Sequence, residues 1–160
     1  MRTPANIAGH PIHPMLVTLP IGLWVFSFVC DLFFVFGNAA PEWSVVALYT
    51  MGGGIVGALL AAIPGLIDLL SLPPEPRKTA IIHMSINLTI VVLYIVNFWL
   101  RLGTPTATAL VWLSLLTILM LLVSGWLGGK LVYLSGVAVS TGETTTEGSR
   151  RREQHAYGSE

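Results

Sequence analysis

The stretch "GHPIHPMLVTLPIG", Gly9 to Gly22, sets two histidines ahead of two prolines where a long apolar run begins. Imidazole titrates near neutral pH and is the commonest metal-binding side chain. A third histidine, His83, opens another apolar run in "HMSINL", and Asp68 stands near the end of the run between them, in "AAIPGLIDLLSLP". Histidines and a carboxylate at the ends of apolar segments suit three chemistries. Two imidazoles can ligate an iron from opposite faces, a His/Asp set can relay protons or ions, or the same groups can simply satisfy the polar ends of helices.

Local stereochemistry narrows the histidines. A residue before proline is pushed out of the α region, so His10 and His13 are expected to be extended, with Pro14 at the first helical position and His13 as the N-cap. In polyproline geometry, at about 3.1 Å per residue, the two rings start about 9 Å apart, and one of them is expected to be the inner group. His13 is the choice, because it begins the polar stripe of its helix. His83 lies about one turn into its own helix at comparable depth. Two such imidazoles from different helices form the axial arrangement of a b-type haem, with His13 and His83 as ligands. Asp68, Asn87 and His10 are then supporting or alternative groups, Asp68 by holding a ring through its other N–H. The bland account gives His83 a hydrogen bond to Asp68 or to a carbonyl, and leaves His10 and His13 flanking a proline-shaped helix start.

The elements that position these groups follow from composition. The chain of 160 residues is 54% hydrophobic and 10% charged, with a mean hydropathy of +0.76. Soluble domains carry about 25% charged residues, so this is a membrane protein. Four runs, near Met15–Phe36, Trp43–Leu70, Ile81–Leu100 and Ala107–Leu127, approach or exceed the ~20 residues that cross about 30 Å of hydrocarbon. The first is too long, and begins too far into the chain, for the apolar core of a signal peptide. The expected architecture is an all-α four-transmembrane-helix bundle over residues 1–139, followed by a polar, disordered cytoplasmic tail over 140–160 that contains His155. Connectors are expected at Gly37–Glu42, Ser71–Thr79 and Arg101–Thr106.

Arg2, Arg77, Lys78, Lys130, Arg150, Arg151 and Arg152 fall on the side that holds both termini, and only Arg101 falls on the other. The positive-inside rule therefore places both termini in the cytoplasm. Trp43, Trp99, Trp112 and Trp126 lie near span ends, where indoles favour the headgroup region.

Each span also carries a stripe in steps of three and four, which gathers its polar and small residues on one face. These stripes are His13, Val17, Pro20, Trp24, Ser27 and Asp31 on helix one, and Thr50, Gly54, Gly57, Ala61, Pro64 and Asp68 on helix two. Helix three carries His83, Asn87, Ile90, Tyr94, Asn97 and Arg101, and helix four carries Leu110, Ser114, Thr117, Leu121, Ser124 and Gly128. The ionisable groups form two layers around an apolar middle. In the outer layer Asp31 and Arg101 are expected to pair, since a lone charge facing lipid costs about 2.5 to 3.5 kcal/mol on insertion scales.

Other chemistries find little support. Cys30 has neither a cysteine partner nor a base at its depth. "MGGGIVG" and "SGWLGGK" lack the context and spacing of a phosphate loop, and there is no basic patch for nucleic acid. No catalytic signature stands out. The partners implied are the lipid bilayer and, through Gly53-x-x-x-Gly57 on helix two, a close helix neighbour within the chain, in a second copy or in another membrane protein. A scaffold is thus the alternative to a haem or redox module, and a small permease or proton-handling protein using Asp68 and His83 is a further one.

Taken in order, "GHPIHPMLVTLPIGL", "DL" at Asp31–Leu32, "AAIPGLIDLLSLP", "HMSINL" and "SGWLGGKLVYLSGVAV" at Ser124–Val139 resemble the bacterial membrane-protein family catalogued as domain of unknown function 2231. The resemblance runs from Gly9 to Val139. It implies a four-span, multi-pass protein of the bacterial cytoplasmic (inner) membrane with no established activity, and its characteristic polar residues match His10, His13, Asp31, Asp68, His83 and Asn87. The last motif departs from the family: Lys130 and Ser135 stand where an acidic residue and a histidine are common. A His13/His83 pair survives that departure, whereas a larger cluster would not.

Overall fold

The structure is a computed structural model, described here for residues 3–103 and 108–139. Arg2, the centre of the third connector and the tail with Arg150, Arg151, Arg152 and His155 lie outside the described residues.

The chain opens with a short antiparallel pair, β1 (Asn6–Ile7) and β2 (His10–Pro11). The turn between them puts Ala8 and Gly9 at φ 51° and 84°, the left-handed pair that matches strand twist in two-residue hairpins. Pro11 then caps α1 (Ile12–Leu16), and α2 (Thr18–Phe36) follows with a break at Val17. His13 is therefore inside the first helical turn and is not the N-cap. Pro14 causes no conflict there, because the first-turn N–H groups have no intrahelical acceptor. Pro20 accounts for the break: it offers no N–H to the Leu16 carbonyl one turn earlier. Together α1 and α2 make one apolar span of 25 residues, Ile12–Phe36.

α3 (Pro41–Ser71) and α4 (Pro74–Gly103) both begin at proline, with Glu42 and Glu75 in their first turns, where carboxylates favour the positive helix end. The connector expected over Ser71–Thr79 shrinks to Leu72 and Pro73. Pro74 and Pro76 occupy positions whose N–H would be unbonded in any case, so the polar "PEPRKT" continues as helix. α5 (Thr108–Tyr133) likewise outruns its apolar core. After it, Gly136 and Ala138 take φ 63° and 64°, which turns Val137 back to pack with Leu131, Leu72 and Ala80. The N-terminal hairpin and this C-terminal turn lie at the same end of the bundle, the histidine end. Among the described residues there are thus four helical spans long and apolar enough to cross a membrane. Their outward faces present Phe26, Leu59, Leu88 and Leu122, an apolar surface suited to lipid rather than water.

The helices pack in the cyclic order α2, α3, α4, α5, closest within the hairpins α2–α3 and α4–α5. α2 and α4 are thus diagonal and meet through long side chains. The sequence stripes are the buried faces with one exception: on α3 Ala47 and Met51 point inward, while Thr50 bonds back to the Val46 carbonyl. Trp24, Met51, Ile90 and Tyr94 fill the apolar middle. Trp24 stacks on Tyr94 with centroids 4.2 Å apart and donates Nε1–H to the Met51 carbonyl.

The two hairpins repeat one another. Three side-chain pairs that meet between the α1–α2 span and α4 join residues separated by the same 70 positions: His13 with His83, Trp24 with Tyr94, and Asp31 with Arg101. Within the hairpins, His13 bonds the Ala61 carbonyl as His83 bonds that of Ser124, and Ser27 bonds the Ala47 carbonyl as Asn97 bonds that of Leu110. The acceptors in each pair lie 63 positions apart. α2 corresponds to α4 and α3 to α5, as parallel repeats about an axis along the bundle.

Candidate functional site

At one end of this axis His13 and His83 face each other from different hairpins. Their ring centroids are 6.5 Å apart and their planes perpendicular, at 88°. His13 Nδ1 lies 2.8 Å from the Ala61 carbonyl oxygen, in the turn of α3 that Pro64 interrupts. His83 Nδ1 lies 3.0 Å from the Ser124 carbonyl oxygen and 3.1 Å from its Oγ. A carbonyl oxygen only accepts, so each ring donates from Nδ1 and keeps the lone pair on Nε2. Asn87 reads that lone pair on His83: its Nδ2 is 3.2 Å from Nε2 and donates to the His83 carbonyl at 2.8 Å.

Glycines make room for both rings. A Cβ on Gly65 would lie 2.7 Å from His13 Nδ1, and one on Gly128 would lie 3.2 Å from His83 Cε1. These two glycines are equivalent positions of α3 and α5, so each ring rests on the backbone of its own hairpin partner. Each ring has one nitrogen tied to a carbonyl, as metal-binding histidines commonly do, and on His83 the other nitrogen meets the Asn87 amide. Among the described residues no group of three or more His, Cys, Asp or Glu gathers here or elsewhere. The donor set is two imidazoles, too few for a tetrahedral protein-only zinc site.

Two of the residues read from the sequence sit apart from this pair. His10 is exposed on β2, its Nδ1 3.2 Å from the Ala8 carbonyl oxygen of its own turn. Asp68 is buried, but its Oδ1 accepts the Ala5 N–H at 2.9 Å, tying the N-terminal segment to α3. The ring N–H that Asp68 was expected to hold goes to a backbone carbonyl instead. Lys130, in the last turn of α5, and Ser135, beyond that helix, are exposed. Ser124, Gly65 and Gly128 are the contributors that residue chemistry alone does not single out. Their signal is smallness on the inward face at the depth of the histidines.

The far end holds the charged layer. Arg101 and Asp31, each 2% exposed, pair through both guanidinium nitrogens, Nη1 to Oδ1 at 2.5 Å and Nη2 to Oδ2 at 2.7 Å. Arg101 Nε donates to Asn97 Oδ1 at 2.9 Å, and Nη2 also reaches Ser114 Oγ at 3.2 Å. Asn97 in turn donates to Ser114 Oγ at 3.0 Å. Each nitrogen of the guanidinium is thus engaged, and the layer joins α2, α4 and α5. Cys30, fully buried beside it, is a free thiol.

The family described as a predicted membrane protein, DUF2231, matches residues 9–141, and the chain belongs to it. No curated protein and no solved structure matches the chain.

Proposed function

We propose that this member of the family is a membrane redox module that holds a b-type haem between His13 and His83. The observation that carries the reading is the imidazole pair: two rings from separate hairpins face each other, each tied through Nδ1 to a carbonyl, and the Asn87 contact at His83 Nε2 is the one a bound iron would replace. Their centroid separation of 6.5 Å is of the order that two imidazoles sharing one metal ion, at about 2 Å from a nitrogen of each, would need. His13 and His83 would hold the haem iron, and because the macrocycle would supply the remaining ligands, a donor set of two would suffice. A bound haem would supply one-electron chemistry at iron.

The chain's own groups would do the rest. Ala61 and Ser124 fix the ring orientations, Gly65 and Gly128 keep side chains out of the space beside them, and Asn87 stands one turn deeper, able to hydrogen-bond what approaches His83. Arg77, Lys78 and Lys130 at the histidine end, set against an Arg101 neutralised by Asp31, support a cytoplasmic location for that end in the bacterial inner membrane.

The other readings of the sequence draw less support. The small stripe of α3 is occupied within the chain: an added Cβ on Gly54 would run into Trp24, and one on Gly57 would crowd Pro20. Asp68 and His83, the two ends of a proton relay, have separate partners.

The test is an absorption spectrum of detergent-purified protein from haem-supplied cells. The reading requires a Soret band at about one haem per chain; protein that stays colourless at saturating haem refutes it.

A further inference from the structure

Asp31 and Arg101 lie equally far in sequence from the histidines: Arg101 follows His83 within α4, and Asp31 on α2 follows His13 on α1 across the break at Val17, each by about five turns or about 27 Å of helical rise. The Trp24–Tyr94 stack lies between, at equivalent positions of the same two helices. The α1–α2 span and α4 therefore face each other across the bundle axis, with side chains meeting at the far end, in the middle and at the histidine end.

The far joint is the rigid one. A bidentate arginine–carboxylate pair is planar and tolerates neither a slide nor a twist of one helix against the other. It is also out of water, where its loss leaves an uncompensated charge. At the histidine end the two rings touch their own hairpins through hydrogen bonds, and no hydrogen bond joins one ring to the other.

We infer that Asp31 and Arg101 are positioning residues for the imidazole pair, setting from the opposite end of the bundle the register that brings His13 and His83 face to face. The inference rests on that pair being the functional site, but its effect on register is measurable without any cofactor. Asn97 and Ser114 belong to the same device, because they fix the plane of the guanidinium that Asp31 meets.

The experiment is a spin-label distance measurement on cofactor-free protein, with labels at Met15→Cys and Ile82→Cys in a Cys30→Ala background. Both label sites are exposed, at 60% and 54%, and adjoin His13 and His83 in sequence. A single narrow distance is expected with the clasp intact, and a broadened or displaced distribution with Asp31→Asn. A distribution unchanged by Asp31→Asn in folded protein overturns the inference. Should Asp31→Asn fail to fold, Asp31→Glu decides: it keeps the charge but lengthens the arm by one methylene, and is expected to shift the distance, whereas an unshifted distance again overturns the inference. A wild-type protein that never takes up haem would refute the proposed function and leave this result standing.

Discussion

Gly65 and Gly128 stand at equivalent places in the two hairpins, each beneath the imidazole that its own hairpin carries. The clearances differ: a Cβ on Gly65 would meet His13 Nδ1 at 2.7 Å, one on Gly128 would meet His83 Cε1 at 3.2 Å. Gly65→Ala is therefore expected to displace its ring and to destabilise by about 1–3 kcal/mol, in the range of overpacked cores. Gly128→Ala should cost less. Equal thermal unfolding of the two variants in detergent would contradict this ranking.

The buried ion pair gives a second expectation. Asp31→Asn or Arg101→Gln leaves one charge without its partner inside the bundle, a loss of about 3–5 kcal/mol. Replacing both with apolar residues of similar size, Asp31→Leu with Arg101→Met, removes the charge and its desolvation together and should recover most of that loss. Equilibrium unfolding in mixed micelles measures the difference. A double variant less stable than either single one would contradict the account.

Tyr94 separates packing from hydrogen bonding. Its ring is fully buried against Trp24, while its hydroxyl, near Thr117, makes no hydrogen bond of good geometry among the described residues. Tyr94→Phe should be neutral or slightly stabilising, since an unsatisfied buried hydroxyl is lost. Tyr94→Ala should cost about 3–5 kcal/mol through the cavity it leaves. A large loss in Tyr94→Phe would show a partner for the hydroxyl.

Two glycines of the apolar spans form a matched control. Gly54 abuts the Trp24 indole, and Gly22 has nothing within 4 Å of an added Cβ. Gly54→Ala is expected to disrupt the α2–α3 contact. Gly22→Ala should stabilise α2 by up to about 1 kcal/mol, the usual gain from replacing a mid-helix glycine. The melting temperatures of the two variants should move in opposite directions.

Much of the bundle is legible in the sequence because a bilayer leaves few options for polar groups. The stripe of His13, Trp24, Ser27 and Asp31 and that of His83, Tyr94, Asn97 and Arg101 follow from the need to turn polar atoms inward. Asp31 and Arg101 are legible as partners because a lone charge at that depth is costly. His13 is misplaced as an N-cap because the rule against helix before proline is weak within a first turn. The partner of Asp68 is a backbone N–H at Ala5, a distant donor that no side-chain pattern announces. The repeat is hidden for a related reason. "LWVFSF" and "LYIVNF" align, but Trp stands for Tyr, Ser for Asn and Asp for Arg. What the hairpins share is which backbone carbonyl each inward side chain meets, and a carbonyl has no letter in the sequence.

The proposed haem site requires that His13 and His83, and not His10, supply the nitrogens that would hold iron. The direct measurement is the ferric electron paramagnetic resonance spectrum of haem-loaded protein in four forms: wild type, His10→Ala, His13→Ala and His83→Ala. A low-spin signal in the wild type and in His10→Ala, lost to high-spin iron or to an absence of haem in His13→Ala and in His83→Ala, is the result expected. A low-spin signal that survives removal of either ring, or that disappears with His10, would contradict it.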